Sequence, residues 1–87
     1  MNDLRRKELK KAIKLIEEAQ NLMMQAQEII SEVKDEEEEA FDNMPEGLQE
    51  SERGEKMQEN IDNLEEIIDE LDEKSDFDEI AEMIDEM

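Results

Sequence analysis

Carboxylates dominate this chain: 30 Asp and Glu stand against 10 Lys and Arg in 87 residues, with no His and no Cys. The chemistry open to such a set is proton transfer between paired carboxylates, or the binding of hard cations. Neither is favoured. The commonest nucleophile–base pairs need His or Cys, and among so many carboxylates the closeness of any two carries no information. Glycoside hydrolysis also needs a shaped sugar pocket, which Phe41 and Phe77, the two aromatic residues, could hardly line. Zinc lacks its thiolate and imidazole ligands, and the isolated Gly47 and Gly54 form no phosphate loop. Residues 72–83, DEKSDFDEIAEM, approach a calcium loop, with acids at loop positions one and five. Lys74 then fills position three, Phe77 stands where Gly is required, and Met83 stands where a bidentate Glu belongs, so the pattern fails. The run DEEEE at 35–39 should attract divalent cations weakly and without selectivity. The expectation is a non-enzyme with no catalytic residues, no cofactor and no metal site.

What the carboxylates can do is present charge. The net charge of −20 is unevenly spread. Residues 1–34 hold seven Lys/Arg and six Asp/Glu; residues 35–87 hold three Lys/Arg and 24 Asp/Glu. Such a field repels nucleic acid and attracts basic surfaces, including those built to bind nucleic acid. Direct nucleic-acid binding is disfavoured, because the basic turn of residues 5–14 is short and interleaved with acids. Six of the ten cations lie in residues 1–14, which argues against a uniformly salt-adapted surface.

These charges must be held by helices. From residue 12 a seven-residue repeat reads AIKLIEE, AQNLMMQ, AQEIISE, VKDEEEE. Its apolar positions are Ala12, Ala19, Ala26 and Val33; Leu15, Leu22 and Ile29; and Ile16, Met23 and Ile30. Three apolar positions in seven make a core-facing stripe wider than a coiled-coil seam. Glu36 and Glu37 then take the core positions, so the stripe is expected to stop at Val33. The spacing predicts a first helix over 3–39, roughly 55 Å long, a loop at 40–51, and a second helix over 52–73. In the second helix Met57, Ile61, Leu64, Ile68 and Leu71 step by four and three, and Ile67 widens the stripe. Ser51 should cap it, with Gly54 weakening its first turn. Ser75 followed by Asp78 resembles a capping box for a third helix at 76–86, with Phe77, Ile80, Ile84 and Met87 on one stripe. Met23, Met57 and Met83 read as core filler; Met24 and Met44 fall off the stripes.

Folding back near Gly47 would place Met57 near Val33, Leu64 near Ile29, Ile68 near Met23 and Ile80 near Ala12. Asp85 and Glu86 would then lie beside Arg5, Arg6 and Lys7, selecting the antiparallel register through many weak pairs. Isolated helix pairs are marginal in water, so a homodimer with a four-helix-like core is expected. The predicted fold is thus one all-α domain spanning 1–87, an antiparallel helical hairpin with a short third helix. Glu8, Glu17 and Glu18 interrupt any apolar run near the start, so neither a signal peptide nor a membrane span is expected. The lack of Cys fits a cytoplasmic setting.

The stretch AFDNMPEGLQESERG, 40–54, is not dictated by heptads. Met44 before Pro45 should end the first helix, Gly47 should permit the reversal, and Phe41 and Leu48 should plug the bundle end. Arg53 should pair with Glu50 or Asp42. A plain hairpin turn needs far fewer residues, and long loops tend to carry function. The segment 36–73, with its Asn-x-Pro-Glu-x-Leu-Gln-x-Ser-Glu-Arg pattern, resembles small uncharacterised acidic helical proteins of bacteriophages and prophages. That resemblance implies a setting in a host cell cytoplasm and supplies no mechanism.

The leading expectation is a non-enzymatic phage-type accessory protein that binds and inhibits a host or defence protein. Its partner would be a basic surface, in the manner of an anti-restriction or anti-CRISPR nucleic-acid mimic, with no direct nucleic-acid or membrane binding. Duplex DNA presents a regular negative array. The residues expected to meet the partner are Phe41, Asn43, Met44 and Leu48 in the loop; Glu36, Glu37 and Glu39 on the first helix; and Asp62, Glu65, Glu66, Asp69, Glu70, Asp72 and Glu73 on the second. The alternative is a structural or scaffolding coiled-coil protein whose acidic surface keeps it soluble.

Overall fold

Long runs of good helix formers, uninterrupted by Pro or Gly, leave residues 3–42 little alternative to a single helix. The computed structural model describes all residues, 1–87, and is all-α. It consists of α1 (Asp3–Asp42), a single turn α2 (Glu46–Gln49), α3 (Glu52–Lys74) and α4 (Asp78–Asp85). The Asn2 side chain caps α1 by accepting from the Arg5 amide at 2.8 Å, which satisfies one of the four orphan donors of a helix start. Asn43 closes α1 just before Met44 and Pro45, where a residue preceding proline is pushed out of helical geometry.

A long helix thus faces a bent pair, α3 and α4. Two bridges fix how they lie. The Gln27 side-chain amide donates to the Ile68 carbonyl at 3.3 Å, and Lys34 Nζ lies 4.0 Å from Glu65. Position climbs along α1 as it falls along α3. Ile68 therefore meets Gln27, about one turn further along α1 than the expected Met23. The molecule is a rod of 69 × 15 × 13 Å with a radius of gyration of 20.2 Å, against about 12 Å for a globular chain of this length. Only Gly54, Ile61 and Ser75 are buried.

The surface of α1 that meets α3 differs from the expected stripe. Leu9, Ile13, Ile16, Gln20, Met23, Gln27, Ile30, Lys34, Glu37 and Phe41 are half-buried, stepping by four and three as a helix seam must. Of the three expected apolar lines, only Ile16, Met23 and Ile30 lie on it. Ala19, Ala26, Val33, Leu15, Leu22 and Ile29 are exposed, the last three by more than 60 %. Nor does the seam stop at Val33. It continues through Lys34, which reaches Glu38 at 3.6 Å and Glu65, and through Glu37 to Phe41. Their long side chains can cover apolar surface with the methylenes while the charged ends stay wet.

Three other expectations need correction. Gly47 lies within α2, not at a free reversal, and no residue has a positive φ; the chain turns through that helical turn instead. Ser75 ends α3 rather than opening α4, and its hydroxyl donates to the Asp72 carbonyl. The start of α4 is helped by the Asp76 carboxylate, which accepts from the Asp78 amide at 3.3 Å. Met83, read as core filler, is 58 % exposed, and Ile80 and Met87 of the expected stripe are exposed too, because Ala81 and Ile84 of α4 and Phe77 before it turn inward instead.

Candidate functional site

The turn between α1 and α3 is a built clasp, not a slack loop. Gln49 projects its amide back to α1 and donates to the carbonyls of Phe41 at 2.9 Å and Met44 at 3.2 Å. The Phe41 carbonyl, in the last turn of α1, also accepts from the Met44 amide at 3.1 Å, and the Met44 carbonyl lies just past the end of that helix. Ser51 caps α3 by accepting from the Gly54 amide at 3.3 Å, while its hydroxyl donates to the Leu48 carbonyl. Gly54 is buried under α2: a Cβ built there would stand 2.2 Å from the Gln49 carbonyl oxygen and 2.6 Å from that of Leu48. The sequence reading assigned Gly54 only a local cost in helix propensity. Its real role is close backbone approach, which heptad spacing cannot reveal.

Of the loop residues singled out from sequence, Phe41 and Met44 are half-buried in this clasp, whereas Asn43 and Leu48 are exposed. Leu48, at 50 % exposure, does not plug the rod end. Arg53 makes no ion pair with Glu50, Asp42 or any other carboxylate; every ion pair in the molecule uses Lys11, Lys34, Lys56 or Lys74.

The acidic residues form a second surface. Asp62, Glu65, Glu66, Asp69, Glu70, Asp72 and Glu73 are all exposed along α3. Helix geometry sets them apart from the Ile61, Leu64, Ile68 and Leu71 line that meets α1, because residues three and four apart share a face. Glu65 and Glu70 have lysine partners in Lys34 and Lys74; Asp62, Glu66, Asp69, Asp72 and Glu73 have none. The whole of α3 carries ten carboxylates over 23 residues. That is one per ~3.4 Å of axis, the phosphate spacing along one DNA strand. On α1, Glu36 and Glu39 are exposed and continue the negative surface, while Glu37 is half-buried toward α3. The loop group and the α3 row are neighbours along the rod and do not converge on a pocket.

No three acidic groups converge as metal ligands. At the far end, Arg6, Lys10, Asp85 and Glu86 line one open groove with Leu9, Ile13 and Ile84. The acidic C-terminus thus comes beside the basic start, as the charge layout suggests, but no ion pair closes across it. No helix is long and apolar enough to cross a membrane. Compared with family models, curated proteins and solved structures, the chain matches none of them.

Proposed function

We propose that this chain is a non-enzymatic inhibitor or accessory protein that engages a basic surface of another protein through the acidic face of α3 and the adjoining end of α1. The observation that carries the reading is the face of α3 that holds Asp62, Glu65, Glu66, Asp69, Glu70, Asp72 and Glu73, all exposed and five of the seven without a cation partner, a dense negative array as a nucleic-acid strand also presents. A rod 15 Å across is slim enough for a groove that accepts a DNA duplex. Charge complementarity would give fast association that salt weakens. The phage-type setting rests on the resemblance of 36–73, and the partner class follows from charge: a nucleic-acid-binding enzyme of the host or its defences. In this reading the rod acts as an antiparallel helical hairpin held rigid by the clasp, in a dimer.

A second reading is a scaffolding coiled-coil protein. It draws on the exposed apolar line of α1, which a mere charge display does not need. Salt separates the two. Affinity capture from a bacterial lysate at low and high salt, with the bound proteins identified, should recover a basic nucleic-acid-binding protein at low salt only. DNA should compete for it. Changing Asp62, Glu66, Asp69, Asp72 and Glu73 to their amides should abolish capture while the chain stays helical. Recovery of the chain's own copies alone, at both salt levels, would overturn the inhibitor reading in favour of the scaffold.

A further inference from the structure

We infer that the exposed apolar line of α1 is the seat of a second copy of this chain, docked antiparallel on α1. Leu15, Ala19, Leu22, Ala26, Ile29 and Val33 recur at alternating steps of four and three, all exposed. At 100° per residue this line lies about 100° around α1 from the seam that α3 occupies, so α3 does not obstruct it. It is the cleaner seam of the two. It is wholly apolar over about 27 Å, whereas the α3 seam is interrupted by Gln20, Gln27, Lys34 and Glu37.

Surface area points to a missing partner. The chain exposes 7027 Å², while a compact monomer of 10.3 kDa would expose about 5,400 Å². Contact along residues 6–42, about 55 Å by a helix width of about 10 Å, gives a footprint on the order of 1,100 Å² over both copies, enough for a specific interface.

Charge selects the second copy and its direction. The line sits on residues 15–33, which hold four anions and no cation, a lower density of charge than residues 35–87 with three cations and 24 anions, so two copies meet where repulsion is least. An antiparallel register that sets Leu15 opposite Val33, Ala19 opposite Ile29 and Leu22 opposite Ala26 uses all six residues from each copy. Two of its three layers pair a large side chain with an alanine. The same register lays the cation-rich start of each α1, residues 5–14, alongside the DEEEE end, residues 35–39, of the other. A parallel pair would instead stack the 5–14 cations on themselves and DEEEE on itself.

This inference gives the dimer of the inhibitor reading its face and register, and it is tested separately from capture of a basic partner. The native chain has no Cys, so introduced thiols report directly. Mixed Leu15→Cys and Val33→Cys chains should form a disulfide between copies, while Leu15→Cys alone should not, its two sites being about 27 Å apart. Sedimentation should give a dimer for the native chain and a monomer for Leu22→Glu, with circular dichroism showing unchanged helix in the variant. A monomeric native chain would overturn the proposal. So would a dimer that Leu22→Glu leaves intact, or a disulfide in Leu15→Cys alone. None of these outcomes touches capture of a basic partner by α3.

Discussion

The two glycines should respond to the same substitution with opposite sign. In an ordinary helical setting Gly→Ala stabilises, by about 0.5–1 kcal/mol, through lower backbone entropy in the unfolded chain. Gly47 meets that condition: nothing lies within 4 Å of its Cβ position, and its φ is negative. Gly54 does not. Its added methyl would stand 2.2 Å from the Gln49 carbonyl oxygen and 2.5 Å from the carbonyl carbon, and backbone cannot swing aside as a side chain can. α2 must lift, and with it go the two bonds from Gln49 to Phe41 and Met44. At about 0.5–1.5 kcal/mol each, their loss outweighs the propensity gain and leaves a net cost of about 0.5–2 kcal/mol. For a chain of this size that is roughly 2–16 °C in melting temperature. Thermal melts followed by far-ultraviolet circular dichroism should show Gly47→Ala above the native chain and Gly54→Ala below it. If the cost runs through Gln49, Gly54→Ala on a Gln49→Ala background should cost less than the separate effects combined. A Gly54→Ala chain that melts with or above the native one would refute the clasp as described.

Other substitutions probe the seam. Ile61, the only buried apolar side chain, should cost about 2–4 kcal/mol as Ile61→Ala, measured by urea denaturation. Leu22→Ala, at a 64 % exposed site, should change monomer stability by less than about 0.5 kcal/mol at concentrations too low for self-association. The Gln20 side chain is half-buried and makes no hydrogen bond within the protein, so Gln20→Leu should stabilise by about 1 kcal/mol through apolar burial. A lower urea midpoint in that variant would count against the assigned seam. Gln27→Leu gains similar area but gives up the bond to the Ile68 carbonyl, so it should gain less than Gln20→Leu.

The all-α class was legible because heptad spacing is a local signal, but α1 runs to Asp42 rather than 39 and the expected loop 40–51 contains α2, because only the Met44–Pro45 step, not the acidic run before it, stops the helix. Ser51 was legible as a cap because that signal is local too. What spacing could not supply was which of two apolar lines α1 turns toward α3. Ile16, Met23 and Ile30 border both lines, so the repeat itself is neutral between them. The decision lies in Gln20, Gln27 and Lys34, polar residues that the expected apolar stripe leaves out, and in Phe41, expected only as an end plug. The acidic row of α3 was legible residue by residue, since exposure follows from distance around the helix. The clasp was not, because Gln49 and Gly54 act through contacts that the chain makes only after it has turned.

That α3 occupies the poorer seam has a physical rationale. A tethered helix meets its neighbour at high effective concentration, so it can settle on a seam interrupted by polar residues. Gln27 and Lys34 find their partners there, at the Ile68 carbonyl and Glu65. A free second copy has no such advantage and must recover the cost of association from contact alone, which favours an uninterrupted apolar line. The same division protects the charge display. Packing α3 on the cleaner line would bury it within one chain and leave the polar seam as the only face for self-association. In the proposed pairing, self-association uses the apolar line of α1, and the carboxylates of α3 remain outward on both copies.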